Sequence, residues 1–136
     1  MIVLDVSAAI AIASNTQEGN NLKKFILLGE TTIAPELFKY ELVNVIYKYT
    51  MGNCITKQTA QAWYSFCVNL VDCFYPIDTM AQEVLSESLS LKHANYDIAY
   101  LVLARRFDAT LFTLDNKLSK LCSKRDVSCT AIVKDL

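Results

Sequence analysis

Short apolar runs alternate along this chain with longer helical stretches, and this alternation constrains the fold more than any other feature. The runs typical of strands are residues 2–4, 31–34, 73–77, 109–114 and 128–133. The connections between them are long enough for helical crossovers between parallel strands. We therefore expect an α/β fold of three layers (α/β/α), with a central, mainly parallel sheet of about five strands flanked by helices.

Helical stretches fill the connections between these runs. They cover residues 8–13, 36–50, 56–72, 78–91, 95–107 and 116–123. Their expected N-caps include Ser7, Thr56, Asp78 and Asp115. Side chains of these types accept hydrogen bonds from the amides of the first helical turn. Gly52 or Asn53 is expected to end the helix over 36–50.

The composition indicates a single domain, residues 1–136. Apolar residues make up 53% of the chain and charged residues 20%, which is enough to form a core. The chain contains only 3 Gly and 2 Pro, which excludes a collagen-like or a disordered chain. The 13 Lys and Arg against 14 Asp and Glu give a formal net charge of −1, which excludes a polycation that coats nucleic acid.

The cysteines and the N-terminal segment bear on the cellular compartment. The 5 cysteines include no CxxC pair, so we interpret them as buried thiols in a reducing compartment, with a redox or metal role as the alternative. Residues 1–13 lack a basic start and contain Asp5, so no secretory signal is predicted. No apolar stretch reaches the roughly 20 residues that span a bilayer. We expect a cytoplasmic protein that does not enter a membrane.

Four acidic residues stand where the predicted sheet would bring them together. Asp5 and Asp115 each follow a strand, so both belong at the carboxyl edge of the sheet, where such folds bind ligands. Glu41 shares its helix face with apolar residues. Asp97 lies in the first turn of another helix, also on the apolar face. Taken singly, the aspartates also suit turns, caps or the helix dipole. Glu41 is harder to explain structurally, because an unpaired carboxylate on an apolar face is costly.

Four converging carboxylates favour a metal site. Their charges repel one another unless a cation neutralises them, and their oxygens suit Mg²⁺ or Mn²⁺. Such an ion can promote hydrolysis of a phosphodiester. The chain has 1 histidine, His93, which we interpret as a surface loop residue, so a metal-free ribonuclease with a histidine acid and base is disfavoured. Phosphate-loop, GxSxG and HExxH motifs are missing from the sequence.

At these residues the sequence resembles the PIN-domain family of metal-dependent nucleases, and most of all the VapC-type toxins of bacterial toxin–antitoxin pairs. The segments that carry the resemblance are Val3-Leu-Asp-Val-Ser-Ala8, Pro35-Glu-Leu-Phe-Lys-Tyr-Glu-Leu-Val-Asn44, Tyr96-Asp-Ile-Ala-Tyr-Leu-Val-Leu-Ala104 and Thr113-Leu-Asp-Asn-Lys-Leu118. They follow the family's order almost from end to end of the chain.

The resemblance implies a PIN-like fold and an endoribonuclease that uses metal-activated water and leaves a 5′-phosphate and a 3′-hydroxyl. The implied catalytic residues and metal ligands are Asp5, Glu41, Asp97 and Asp115. The implied cofactor is Mg²⁺, with Mn²⁺ possible. The implied substrate-positioning or outer residues are Ser7, Asn44 and Thr113, for which cap, strand and helix-surface roles stay open. A homodimer is also implied, as is a cognate antitoxin whose tail blocks the pocket.

Two surfaces of the chain have open interpretations. Residues 105–125 contain 6 basic residues (Arg105, Arg106, Lys117, Lys120, Lys124 and Arg125) and 2 acidic ones (Asp108 and Asp115), a local balance of +4. This basic flank either holds RNA phosphates or is an ordinary solvated helix face. The aromatic residues of segments 37–49 and 56–71 form either core packing or a dimer or antitoxin surface.

Two other functions compete with the toxin ribonuclease. One is a catalytically silent PIN-fold interaction module whose pocket docks a basic partner tail. The other is a stand-alone PIN nuclease of RNA processing or of DNA repair, without an antitoxin. Loss of cleavage on chelation of the metal separates the enzymes from the module.

Overall fold

The computed structural model describes residues 1–93 and 96–130. The strands are β1 (Ile2–Leu4), β2 (Thr32–Pro35), β3 (Cys73–Tyr75) and β4 (Thr110–Phe112). The helices are α1 (Val6–Ala13), α2 (Gln17–Leu27), α3 (Leu37–Met51), α4 (Lys57–Asn69), α5 (Ala81–Leu91), α6 (Asp97–Arg106) and α7 (Asn116–Lys124). A short 3₁₀ turn, Ile77–Thr79, precedes α5. No helix in the described ranges is long and apolar enough to cross a membrane.

The sheet is parallel throughout its described strands, in the order β3-β2-β1-β4. Val3 pairs with Ile33 on one side and with Leu111 on the other, so β1 is central. Helices flank this sheet, which confirms the predicted three-layer α/β/α fold. Of the expected fifth strand, over 128–133, the described part shows a parallel bridge between Cys129 and Leu111, and residues 131–133 lie outside the described residues.

The core centres on β1 and α6. The three residues of β1 are at most 2% exposed, and seven consecutive residues of α6, from Ile98 to Ala104, are buried. A helix that is apolar on every side must be enclosed, and α6 contacts β1, β2 and β4. The first residue of this helix is Asp97, so its backbone is fixed by the packing of the whole element.

Several helix starts differ from the prediction. The first helix begins at Val6 rather than at residue 8, because Asp5 is its N-cap and accepts a hydrogen bond from the Ala8 amide at 2.9 Å. Asp78 lies in the 3₁₀ turn and caps no helix, so α5 starts at Ala81. Thr56 and Asp115 are N-caps as predicted.

Helix α2 was not predicted from the sequence. It contains Gly19 and two asparagines, which have low helix propensity. Thr16 caps it by accepting a hydrogen bond from the Gly19 amide at 3.0 Å, and Leu22 is buried in the core. Packing against α1 therefore overrides the weak local preference.

Burial of the cysteines and aromatic residues is also mixed. No disulfide joins any of the five cysteines, all of which lie among the described residues, and only Cys67 and Cys122 are buried. Cys54 and Cys73 are exposed, contrary to expectation, because they lie in a loop after α3 and on the edge strand β3. Tyr40 and Tyr47 of α3 are likewise exposed, so the aromatic segment is not core packing alone.

Gly19 marks the closest approach between α1 and α2. A Cβ atom at this position would lie 1.9 Å from the Ala11 carbonyl oxygen, which is backbone and cannot rotate away. At Gly52, the C-cap of α3, the nearest atom would be 3.3 Å away. The space at these two glycines therefore differs sharply.

We predict that Gly19→Ala lowers the free energy of unfolding by about 3 kcal/mol, because α2 must move away from α1. Gly52→Ala is the matched control and should change it by less than about 1 kcal/mol. Urea unfolding followed by circular dichroism measures both. Equal midpoints for the two variants would contradict the close packing described for Gly19.

Candidate active site

The carboxyl ends of β1 and β4 meet at one edge of the sheet, as the sequence predicts for Asp5 and Asp115. The Asp5 amide donates to the Phe112 carbonyl oxygen at 3.1 Å, which ties the first residue after β1 to the last residue of β4. Thr113 and Asp115 lie in the segment between β4 and α7. The two acidic residues therefore emerge from neighbouring strands.

Asp5 is 6% exposed, and its carboxylate accepts hydrogen bonds from Ser7, Ala8 and Thr113. Its Oδ1 accepts from the Ser7 hydroxyl at 2.7 Å and from the Ala8 amide at 2.9 Å, and its Oδ2 accepts from the Thr113 hydroxyl. Burial outweighs these hydrogen bonds, with a further contribution from the charge of Asp115, and raises the pKa of Asp5 to about 6.

Glu41 reaches the same pocket from α3. Its Oε1 accepts a hydrogen bond from the hydroxyl of the fully buried Tyr100 at 3.0 Å. Burial, and then the charges of Asp97 and Asp5, raise the pKa of Glu41 to about 7. Burial also raises the pKa of Tyr100 well above its ordinary value, so Tyr100 stays a donor at neutral pH.

Asp97 enters the pocket from the first turn of α6. Its Oδ2 lies 3.5 Å from Nε2 of His93, a distance too long for a strong hydrogen bond. His93 lies in a loop, as interpreted, but its side chain is only 25% exposed and faces Asp97. Burial, followed by the charge of Asp115, raises the pKa of Asp97.

The fourth acid has a structural role as well. Asp115 caps α7, and its Oδ1 accepts a hydrogen bond from the Lys117 amide at 2.8 Å. Ser7 and Thr113 are hydroxyl neighbours of Asp5, as expected, and the Ser7 hydroxyl also accepts from the Leu114 amide at 2.9 Å. These bonds fix the loop between β4 and α7 against α1.

One pocket of about 330 Å³ brings the four acids together. Its lining residues are Asp5, Val6, Ser7, Ile10, Glu41, Val45, Tyr49, Asp97, Tyr100 and Asp115. Asn44 is exposed and does not line this pocket, whereas Val45, on the following residue, does. Sequence reasoning did not identify Tyr49 and Tyr100 as pocket residues. The i, i+4, i+8 spacing of Glu41, Val45 and Tyr49 is the signal that would have found Tyr49.

The chemistry of the donor set suits a hard divalent cation. Carboxylate and hydroxyl oxygens are the ligands that Mg²⁺ and Mn²⁺ prefer. Burial, and to a lesser extent the neighbouring negative charges, raises the pKa of Asp5, Glu41 and Asp97, and a cation would favour their charged forms. Within the described ranges, however, no three carboxylate, imidazole or thiol groups are close enough to hold a metal ion as they stand. Each carboxylate is instead drawn toward its own hydrogen-bond donors or basic neighbour.

The three arginines of the basic flank proposed from the sequence are paired with glutamates. Arg105 donates to Glu83 at 2.6 Å and to Glu87 at 2.7 Å, while Arg106 and Arg125 each donate to one of these glutamates at 2.9 Å. These partners come from α5, which is distant in sequence and so was not included in the local charge balance. The three arginines hold α5, α6 and the end of α7 together.

The three lysines of the flank are exposed and make no ion pair within the part of the chain that the structure describes. Lys117 stands next to the pocket, and its charge acts on Asp97 to lower the pKa of that carboxyl against the larger opposing effects. Lys120 and Lys124 lie further along α7. Lys117 is thus the lysine of the flank whose charge acts on a pocket acid.

Comparison with known proteins defines the fold further. No protein-family model matches the chain, and no curated protein matches its sequence. The crystal structure of PAE2754 from Pyrobaculum aerophilum is similar, with a TM-score of 0.72 over 98% of this chain and 87% of that chain, at 20% sequence identity. At this identity the likeness shows the fold alone, and it supports the three-layer α/β/α architecture. The resemblance to the PIN-domain family stays a prediction.

The raised pKa values predict how the stability of the metal-free protein depends on pH. Asp5 and Glu41 have ordinary pKa values of 3.8 and 4.5 and folded values of about 6 and about 7. Between these limits the folded state binds more protons than the unfolded state, so the free energy of unfolding falls as pH rises. From about pH 5 to about pH 8 we expect a loss on the order of 2 kcal/mol, allowing for the partial exposure of Glu41.

Urea unfolding in the presence of a chelator, at several pH values, measures this loss. Asp5→Asn should be less sensitive to pH and should gain most at about pH 8, because it removes one buried negative charge. Asp78→Asn, at an exposed site, is the control. A free energy of unfolding that rises over this interval, or an Asp5→Asn slope equal to that of the unsubstituted protein, would contradict the described electrostatics.

Proposed function

We propose that this protein is a metal-dependent endoribonuclease, the toxin of a toxin–antitoxin pair, which hydrolyses RNA phosphodiester bonds at the pocket formed by Asp5, Glu41, Asp97 and Asp115. One observation carries the proposal. Four acidic side chains from four different elements line a single pocket, and burial, with a smaller contribution from neighbouring charges, opposes the ionisation of Asp5, Glu41 and Asp97. A pocket built in this way favours a divalent cation over an anion or an apolar ligand.

The same four side chains would hold Mg²⁺ or Mn²⁺. When bound, such an ion neutralises the carboxylates, makes water more acidic and stabilises negative charge on a phosphate. The chain's own contribution is to position the ligands. The hydroxyls of Ser7 and Thr113 orient Asp5, and the Tyr100 hydroxyl orients Glu41.

Residues around the acids would prepare the phosphodiester for attack. Hydrolysis joins a water oxygen to phosphorus and releases the ribose 3′-oxygen, so negative charge develops at the phosphate. Lys117, whose charge acts on Asp97, would offer a positive charge to a non-bridging phosphate oxygen. The apolar side chains of Val6, Ile10 and Val45 line the rest of the pocket and limit the water around it.

The choice of RNA, the antitoxin and the homodimer follow from the resemblance to VapC-type toxins rather than from the pocket. A cytoplasmic location belongs to the same part of the proposal. A groove of about 480 Å³ between α3 and α4 supports a protein partner, since Tyr47, one of its lining residues, is 60% exposed.

The rival interaction module rests on the same acidic pocket. Its carboxylates would accept a lysine or arginine side chain from a partner tail in place of a metal ion. In that function the pocket binds but does not cleave. A stand-alone RNA-processing nuclease would cleave but would have no antitoxin.

We predict discrete cleavage of labelled structured RNA by the purified protein with Mg²⁺ or Mn²⁺, and none in excess chelator. Asp97→Asn should lower the cleavage rate by at least about 100-fold, because it removes one charged oxygen from the pocket. Asp78→Asn, which carries the same change at an exposed position outside the pocket, should cleave normally. Gel electrophoresis of the products gives the rates, and circular dichroism checks that both variants fold.

Other outcomes of this experiment overturn the enzyme. Absence of cleavage with either metal, together with calorimetric binding of an arginine-rich peptide that Asp97→Asn weakens, would establish the interaction module. Cleavage that persists in the chelator would remove the metal from the mechanism. Cleavage that Asp97→Asn leaves intact would move the active site elsewhere.

A further inference from the structure

A second pocket of about 290 Å³ adjoins the acidic pocket. We call it the side groove, and its lining residues are Ser7, Ile10, Ala11, Ser14, Thr16, Glu18, Tyr49 and Leu114. Three of these, Ser7, Ile10 and Tyr49, also line the acidic pocket. The two pockets therefore form one continuous surface, and a ligand bound at the acids extends directly into the side groove.

Tyr49 stands where the two pockets join. It lies two helical turns after Glu41, about 12 Å along α3, and its side chain leans back toward the start of the helix. The ring of Trp63 packs against it edge to face, with centroids 5.8 Å apart and an interplanar angle of 73°. Because Trp63 is packed on the core, the Tyr49 ring is held in place while remaining 40% exposed. A fixed and exposed ring is suited to stacking.

The walls of the side groove offer little to a phosphate. Its hydroxyls already bond within the chain: Ser14 donates to the Ile10 carbonyl at 2.7 Å, and Thr16 accepts from the Gly19 amide at 3.0 Å. The charged lining residue is Glu18, an exposed carboxylate, and no lysine or arginine of the described residues lines this groove. A phosphate here would meet the negative charge of Glu18 and no cation from those residues. A neutral, planar group would meet the Tyr49 ring and the apolar side chains of Ile10 and Leu114.

We infer that the side groove is a base-binding subsite, in which Tyr49 stacks on one unpaired base of the RNA strand whose backbone is bound at the acidic pocket. This inference rests on the proposed function. It follows from the continuity of the two pockets and from their opposite chemistry, one suited to a cation and a phosphate and the other to a flat neutral group. Aromatic side chains bind single-stranded nucleic acid in this way, and a base that is stacked inside a duplex cannot enter such a groove.

The test compares three substitutions on α3. Tyr49→Leu removes the ring and should weaken RNA binding and kcat/KM by roughly 5- to 150-fold, the range expected for one stacked base. Tyr49→Phe keeps the ring and should stay close to the unsubstituted protein. Tyr40→Leu is the matched control, because Tyr40 is a more exposed tyrosine of α3 that lines neither the acidic pocket nor the side groove.

A set of RNA oligonucleotides, each with one abasic nucleotide, locates the stacked base. In the unsubstituted protein one position near the cleaved bond should be sensitive to loss of its base. In Tyr49→Leu that position should lose its sensitivity, since the base has no partner to lose. Equal kinetics for Tyr49→Leu and Tyr40→Leu, or an unchanged abasic profile, would overturn the subsite.

Binding measured separately from cleavage distinguishes failure of the subsite from failure of the proposed function. The fluorescence anisotropy of labelled RNA is measured with the Asp97→Asn protein, with and without Tyr49→Leu. No cleavage by the unsubstituted protein, with binding that still depends on Tyr49, would reject the nuclease and keep the subsite. Cleavage by the unsubstituted protein, with an RNA affinity that Tyr49→Leu does not change, would keep the nuclease and reject the subsite. Absence of RNA binding would reject both.

Discussion

The buried carboxylate of Asp5 is held between the ends of β1 and β4, and the arrangement of the pocket depends on how its charge is accommodated. It caps α1 through the Ala8 amide and binds the hydroxyls of Ser7 and Thr113, so one side chain joins the central strand, the first helix and the loop before α7. These donors do not fully offset its burial, and its pKa is raised to about 6. The same side chain therefore joins these elements and places a buried negative charge in the pocket, which a bound cation would stabilise.

The parallel sheet and the positions of the acids could be predicted because they depend on local patterns. Asp5 and Asp115 directly follow apolar strands, and strand direction alone places both at one edge. Glu41 carries a different signal, an acid on an apolar helix face without a local basic partner. The structure accounts for it with the hydroxyl of Tyr100, which is 59 residues away in sequence. Periodicity could indicate that such a partner was needed, but it could not identify it.

What the sequence did not disclose depends on contacts between distant segments. Local charge made residues 105–125 look basic, yet Arg105 is paired with Glu83 and Glu87 of α5. Helix α2 has weak propensity and forms because it packs on α1, with Gly19 at the contact. The side groove exists because α1, α3 and the loop after β4 meet, so its residues show no shared motif. Tertiary packing decided each of these features.

The proposed function requires that the four acids act together as one cation site. Calorimetric titration of the protein with Mn²⁺ near pH 6, repeated in buffers of different ionisation enthalpy, measures this directly. We predict binding accompanied by proton release, because Asp5 and Glu41 are partly protonated there before the cation binds. Asp5→Asn and Glu41→Gln should each weaken binding and reduce the number of protons released. Absence of Mn²⁺ binding, or binding that neither substitution affects, would contradict the claim.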